Sequence, residues 1–193
     1  MKITIVIPSR CGENEDITLN SLKKQTFTDF KIVVVKDVDK KGANWARNKG
    51  FKECDTPFVL FSDNDIDWEV DGIENLYKTL VEHPECSYSY GSYLIGNNAY
   101  CNKIFSTNDL WKGNYISTMS LIRSDDFPCF DENIRRLQDW DLWLTMLEKG
   151  NIGTYCGKRI FVTYVRNGIS FGNKLSYKVA KNIVLRKHGK LNG

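Results

Sequence analysis

Short apolar runs of strand length alternate with helix-like stretches over the first 61 residues of the chain. The apolar runs are rich in β-branched and aromatic side chains, which is typical of strands. Alternation of strands with helices predicts parallel pairing through right-handed crossovers. The continuous run at 30–35 further predicts a strand that is buried on both faces. The predicted strands cover residues 2–7, 30–35 and 57–61, and the predicted helices cover residues 16–25 and 43–54.

The remainder of the chain mixes helices with further strands. Residues 138–148 are a clear helix that Gly150 ends, because glycine favours the position just after a helix. Residues 86–94 and 98–106 suggest a β-hairpin. The other predicted helices are 70–82 and 175–188, and the other predicted strands are 117–122 and 155–165.

The last predicted helix, 175–188, is amphipathic. We expect its apolar face to pack on the sheet and the lysines of the opposite face to point into solvent. The apolar positions are Leu175, Val179, Ala180, Ile183 and Val184, and the lysines are Lys174, Lys178 and Lys181.

Length and composition predict one globular domain. The chain has 193 residues, of which 41% are hydrophobic and 26% charged, close to the average of globular domains. No apolar stretch approaches the 18 or more residues of a membrane span, and the N-terminus lacks the pattern of a signal peptide. The six cysteines form no C-x-x-C pair, which predicts reduced thiols and no zinc site. We therefore expect a soluble, cytoplasmic, single α/β domain over residues 1–193, with a mostly parallel sheet flanked by helices.

Charge is unevenly distributed along the chain. From Lys158 onwards the sequence contains nine of the 27 Lys and Arg residues and none of the 24 acidic residues. Such a basic segment can attract nucleic acid, anionic lipid or a phosphorylated ligand, but no stacking motif of an RNA-binding module is present. We interpret it as a solvated helix face that makes at most peripheral contact with a membrane, and we expect no nucleic-acid partner.

An acidic cluster follows the third predicted strand, in the stretch F-S-D-N-D-I-D at 61–67. Ligands of parallel sheets bind outside the carboxyl ends of the strands, and a D-x-D sequence there offers oxygen ligands for Mg²⁺ or Mn²⁺. A calcium loop is excluded because Trp68 stands where that loop needs glycine. A phosphatase, with Asp63 as nucleophile and Asp125 and Asp126 as a later acidic pair, remains a minor alternative.

Five motifs follow one another along the chain: V-I-P-S (6–9), V-V-V-K-D (33–37), G-A-N-W-A-R-N-K-G (42–50), F-V-L-F-S-D-N-D (58–65) and F-D-E-N-I-R-R-L-Q-D-W-D-L-W-L (130–144). In this order and spacing they resemble the family 2 glycosyltransferases of the GT-A (Rossmann-like) fold. The resemblance implies an inverting transferase that moves a sugar from a nucleotide-diphospho-sugar to a hydroxyl acceptor on a glycan, protein or lipid-linked saccharide, with Mn²⁺ or Mg²⁺. It further implies a donor-binding half at 1–95, an acceptor-binding half at 96–170 and a C-terminal helix at 171–193.

The resemblance also implies roles for individual residues on the donor side. Pro8 and Ser9 form the opening strand and loop, and Asp37 faces the nucleotide base. Arg47 is similar to a donor-site residue, although a salt bridge that holds the loop is nearly as good an interpretation. Asp63 belongs to the ribose or to the metal shell.

The resemblance also implies which residues bind the metal and which residue acts on the acceptor. Asp65 would hold the metal, with Asp63 beside it, and Asp139 would be the general base. Asp141 cannot share a helix face with Asp139, because the two are only two positions apart; it is expected to form a cap or a salt bridge.

The sequence departs from the family pattern at several positions, on the acceptor side and at the end of the second strand. Gln138 stands where a glutamate is common, Asn167 replaces a histidine of the family, and Lys36 stands where many relatives have a second acid. An alternative function is therefore a nucleotide-sugar or carbohydrate-binding module without turnover. The presence of both Asp65 and Asp139 favours the enzyme.

Overall fold

The computed structural model describes residues 1–164 and 175–190, which form an α/β fold. Every predicted helix and strand is present, and helix α5 has the predicted bounds. The strands are β1 (Ile3–Arg10), β2 (Phe30–Asp37), β3 (Phe58–Phe61), β4 (Ile66–Trp68), β5 (Tyr88–Ile95), β6 (Asn98–Tyr100), β7 (Leu121–Arg123) and β8 (Gly153–Thr163). The helices are α1 (Asp16–Leu22), α2 (Ala43–Phe51), α3 (Gly72–Glu82), α4 (Thr107–Lys112), α5 (Gln138–Glu148) and α6 (Tyr177–Lys187), with a 3-10 turn at Ser124–Asp126.

The eight strands form one mixed sheet, with the order β2-β1-β3-β7-β5-β8-β4 and β6 beside β5. β1 is parallel to β2 and to β3, as the sequence predicts, and β5 is parallel to β8. β7 runs antiparallel to both of its neighbours, and β4 and β6 also pair in antiparallel fashion. Parallel order therefore holds for the first three strands, and the second half of the sheet is mixed because β7 enters it in the reverse direction.

Strand β2 is an edge of the described sheet, and the prediction that it is buried on both faces was wrong. Ile32 and Val34 are 37% and 39% exposed. Helix α2 packs on the other face of β2, whereas α1 packs against β4 and leaves this face partly open. The continuous apolar run therefore predicts the strand correctly but does not show whether both of its faces are buried.

The sheet separates two hydrophobic layers that alternate along β1. Ile5 and Ile7 belong to the layer under α1 and α3, while Val6 belongs to the layer under α2 and α5. Helix α2 lies close to β1 at Gly50, where a Cβ atom would overlap the Val6 side chain. The sheet thus holds the last turn of α2 close against β1.

Helix α6 packs differently from the prediction. Ala180 and Val184 are buried, but Val179 and Ile183 are 47% and 41% exposed. The helix lies beside α4 and α5 rather than on the sheet. Its Lys181 is half-buried and donates a hydrogen bond of 2.9 Å to the carbonyl of residue 112, so this lysine does not face solvent as predicted.

Further predictions concern the other two lysines of the tail, the cysteines and membrane-spanning helices. Lys178 is exposed, as predicted, and Lys174 lies outside the described residues. All six cysteines are free. No helix in residues 1–164 or 175–190 combines the length and the apolar character that a membrane crossing requires.

Ion pairs explain the position of α6. Asp141 of α5 is 2% exposed and accepts hydrogen bonds from Lys187 Nζ at 2.8 Å and from His188 Nε2 at 3.1 Å. His188 Nδ1 also lies 3.0 Å from Glu148 Oε2. Burial alone would lower the pKa of His188, but its contacts with Asp141 and Glu148 outweigh burial and raise it. These contacts turn α6 so that its cations face α5 and part of its apolar surface faces out.

We expect Asp141→Asn to lower the free energy of unfolding by about 3 kcal/mol at pH 6, because it removes the buried carboxylate that pairs with Lys187 and with the buried His188. The raised pKa of His188 in the folded state means that its charge stabilises the fold fully below a pH of about 6.5 and that this contribution disappears as the pH rises through the raised value. The loss should therefore be smaller at pH 9. Urea unfolding at both pH values measures the loss in the free energy of unfolding. Asp125→Asn, at an exposed position, is the control. Equal losses at the two pH values would exclude the His188 contribution.

Candidate functional site

A cleft of about 790 Å³ lies at the carboxyl ends of β1, β2 and β3. Because these three strands are parallel neighbours, the loops that follow them meet at one edge of the sheet. The amino end of α5 forms the opposite wall. All of the predicted site residues line this one cleft: Pro8, Ser9, Asp37, Arg47, Asp63, Asp65 and Asp139.

Arg47 and Asp63 form an ion pair inside the cleft. Arg47 projects from α2, is 5% exposed, and its Nη2 lies 2.7 Å from Asp63 Oδ1. Its guanidinium also lies over the ring of Phe130, with 5.3 Å between its central carbon and the ring centroid. The salt-bridge interpretation of Arg47 is therefore observed, and the pair fixes the direction of the Asp63 carboxylate, which is 40% exposed.

Asp37 holds the loop between β2 and α2. Its carboxylate is buried and accepts hydrogen bonds from the backbone N–H groups of Lys41 at 2.8 Å and Gly42 at 2.7 Å. Gly42 has a φ of +109°, a conformation that glycine adopts without strain. Asp37 thus shapes the cleft edge at the place where the family resemblance puts the nucleotide base.

Ser9 and Lys36 share one partner, Glu15, at the opening of α1. The Ser9 hydroxyl and the Lys36 ammonium both donate to Glu15 Oε1. These two contacts lower the pKa of Glu15, and the larger contribution comes from Lys36. The lysine that departs from the family pattern is therefore paired across the loop, where it ties the end of β2 to α1.

The D-x-D loop is held from beneath by Thr18 of α1. The Thr18 hydroxyl donates to the carbonyl of Asp63 at 2.9 Å and accepts from the backbone N–H of Ile66 at 2.9 Å. Asn64 is fixed by a hydrogen bond of 2.9 Å to Glu13 Oε2. The short strand β4, which the sequence does not reveal, continues from this loop. The loop is anchored at both ends, so its carboxylates are held in the cleft.

Asp139 begins α5 on the opposite wall, and both of its carboxylate oxygens have fixed donors. Asn114 Nδ2 lies 2.6 Å from Oδ2, and the backbone N–H of Trp140 lies 2.9 Å from Oδ1. Burial raises the pKa of Asp139, and the positive charge of Arg47 opposes part of this increase. Asp141 points to the other side of α5, toward α6, which confirms that the two acids do not share a face.

The carboxylates of the D-x-D loop fit a divalent cation whose coordination shell would be completed by substrate oxygens. No group of three His, Cys, Asp or Glu suited to a metal occurs in the part of the chain that the structure describes. Mg²⁺ and Mn²⁺ need fewer protein ligands, since one or two carboxylates together with substrate phosphates and water can complete the shell. Asp63 and Asp65 are two such carboxylates in the cleft. Asn167 lies outside the described residues.

The acids that the phosphatase alternative requires are placed elsewhere. Asp125 and Asp126 form the 3-10 turn after β7, and neither lines the cleft that contains Asp63. A phosphatase active site of that type is therefore not assembled by these residues.

Comparison with known proteins identifies the family. The model of the family described as "Glycosyl transferase family 2" matches residues 12–125, which is more than half of the chain. The chain belongs to glycosyl transferase family 2. This family 2 chain carries its D-x-D loop, Asp37 and Arg47 inside the matched region, whereas Asp139 lies beyond it.

Curated proteins resemble the chain in sequence, and a solved structure resembles it in fold. The chain is 27% identical to TuaG of Bacillus subtilis over 70% of its own length and 57% of that protein. It is 24% identical to WfgD of Escherichia coli, a UDP-Glc:alpha-D-GlcNAc-diphosphoundecaprenol beta-1,3-glucosyltransferase, over 80% of its own length and 74% of that protein. TarS 1–349 of S. aureus in complex with UDP-GlcNAc superimposes with a TM-score of 0.78 at 18% identity, over 97% of this chain and 65% of TarS 1–349. The predicted GT-A fold is confirmed, and the family 2 chain spans less than two thirds of TuaG and of the TarS fragment.

Proposed function

We propose that the protein transfers a sugar from a UDP-sugar to a hydroxyl of a saccharide carried on a lipid diphosphate. The observation that carries the proposal is one cleft in which Asp63 and Asp65, at the end of β3, face Asp139, at the start of α5. Names of similar proteins supply the substrate classes. WfgD is described as using UDP-Glc and GlcNAc-diphosphoundecaprenol, and TarS 1–349 was solved in complex with UDP-GlcNAc.

On the donor side, Asp63 and Asp65 would hold Mn²⁺ or Mg²⁺. Such an ion supplies positive charge for the diphosphate that leaves. Arg47 holds Asp63 through the 2.7 Å ion pair, so the carboxylate is directed before a nucleotide binds. Asp37, Pro8 and Ser9 line the neighbouring edge of the cleft, where we place the nucleoside.

On the acceptor side, Asp139 acts as the general base. The acceptor oxygen attacks the anomeric carbon, the bond from that carbon to the diphosphate oxygen breaks, and the acceptor proton moves to the Asp139 carboxylate. One displacement from the opposite face inverts the configuration. The raised pKa of Asp139, which burial causes, makes its carboxylate a stronger proton acceptor. Asn114 keeps this carboxylate in place.

The test is a thermal-shift panel of UDP-, GDP- and dTDP-sugars with Mn²⁺, followed by a transfer assay with UDP-Glc and GlcNAc on a short-chain lipid diphosphate. A UDP-sugar at 100 times its Kd should stabilise the fold by about 2.7 kcal/mol, and sugar should appear on the acceptor. Stabilisation without transfer to acceptor or to water would instead identify a binding module. Stabilisation by GDP- or dTDP-sugars alone would refute the choice of uridine. A cytoplasmic location remains a prediction of the sequence.

A further inference from the structure

Tyr93 of β5 is held between two other aromatic rings at the wall of the cleft. Its ring stacks on Tyr100 of β6, with centroids 5.5 Å apart and planes at 14°, and on Phe161 of β8, with centroids 4.8 Å apart and planes at 11°. Both faces of the ring are therefore covered. The ring cannot swing out of this stack without losing two aromatic contacts, so the position of its hydroxyl is fixed.

Tyr93 lies close enough to Asp139 for the charge of this acid to act on the Tyr93 hydroxyl. Tyr93 and Asp139 both line the cleft. Burial raises the pKa of Tyr93, and the negative charge of Asp139 raises it further, so the hydroxyl keeps its proton at neutral pH. Within residues 1–164 and 175–190, this hydroxyl has no hydrogen-bond partner, although half-buried tyrosine hydroxyls usually have one.

We propose that the Tyr93 hydroxyl binds the acceptor saccharide, by donating a hydrogen bond to a sugar hydroxyl adjacent to the one that Asp139 deprotonates. This inference rests on the proposed function, because it assigns a substrate contact in the same cleft. The stack explains why a tyrosine suits the position. Two ring neighbours hold the phenol rigidly, and only its oxygen is presented to substrate. Tyr93 acts in binding and not as a base, since its proton is retained.

Tyr93→Phe tests the contact because it removes the hydroxyl and retains the ring in the stack. We expect kcat/KM for GlcNAc on a short-chain lipid diphosphate to fall about 10-fold, mostly through KM, as for the loss of one hydrogen bond. Affinity for UDP and the slow hydrolysis of UDP-Glc should be unchanged. Tyr100→Phe is the matched control, since Tyr100 shares the stack but does not line the cleft; it should behave as the parent.

Deoxygenated acceptors identify the partner hydroxyl. With the parent protein and transfer to the 3-hydroxyl, as in WfgD, the 4-deoxy derivative of the GlcNAc acceptor should react about 10-fold more slowly than the 6-deoxy derivative, because only the 4-hydroxyl is adjacent to the 3-hydroxyl. With Tyr93→Phe this difference should disappear, because the contact is already absent. Parent-like acceptor kinetics of Tyr93→Phe, or an unchanged difference between the two derivatives, would overturn the role of Tyr93 alone. Failure of the parent to transfer sugar to the intact acceptor would overturn the proposed function and this inference together.

Discussion

Asp139→Asn is expected to lower the rate of sugar transfer by about 10²–10⁴-fold and to leave nucleotide-sugar affinity nearly unchanged. The substitution removes the proton acceptor but keeps the size of the side chain and an oxygen that can accept from Asn114. The loss corresponds to roughly 3–5.5 kcal/mol of transition-state stabilisation. Single-turnover transfer assays measure the rate, and calorimetric titration with the UDP-sugar measures the affinity.

Asp141→Asn is the matched control for this experiment. It alters an acid on the same helix, two positions away, whose partners are Lys187 and His188 rather than cleft residues. At a temperature where both variants are folded, it should transfer sugar at close to the parent rate. A parent-like rate for Asp139→Asn would show that the acceptor proton goes to another group.

Removal of divalent metal is expected to abolish sugar transfer. Asp65→Ala should lower the transfer rate by roughly 10³-fold, which corresponds to several kcal/mol of transition-state stabilisation. Both changes remove the positive charge that stabilises the leaving diphosphate. The assays are transfer after treatment with EDTA, restoration by Mn²⁺, and titration of UDP binding with and without Mn²⁺.

Asp67→Ala supplies the control for the metal experiment. Asp67 belongs to the same acidic cluster but is exposed on β4 and does not line the cleft. It should transfer sugar at the parent rate and keep the dependence of UDP binding on Mn²⁺. Full activity in EDTA, or equal losses for Asp65→Ala and Asp67→Ala, would contradict a metal held at Asp65.

The sequence predicts which acids gather on the β1–β3 side of the cleft, for a geometric reason. Asp37 and Asp63 each follow a strand, and parallel neighbouring strands bring the ends of their loops together whatever the details of packing. Helix α5 is also predicted with its observed bounds, since a run of apolar residues and Gly150 define it locally. These features depend on short stretches of sequence and on one topological rule.

Contacts between distant segments could not be predicted in the same way. Asn114 reaches Asp139 across 25 residues, and no periodicity marks it. The pairing of Lys36 with Glu15 likewise depends on how α1 sits beside the end of β2. The exposed face of β2 and the rotation of α6 were mispredicted because apolar patterning does not show which element covers a face. In α6, the ion pairs with Asp141 determine which face of the helix packs against α5.

The ion pairs of Asp141 have a consequence for the order in which the cleft is completed during translation. Lys187 follows Asp141 by 46 residues, which the ribosome adds in roughly 2–9 s at about 5–20 residues per second. During that interval α5 carries a carboxylate without its counter-ions, and burying it is costly. We therefore expect the nascent chain to assemble the wall formed by β1, β2 and β3 first. The wall that carries Asp139 should settle only after α6 has emerged.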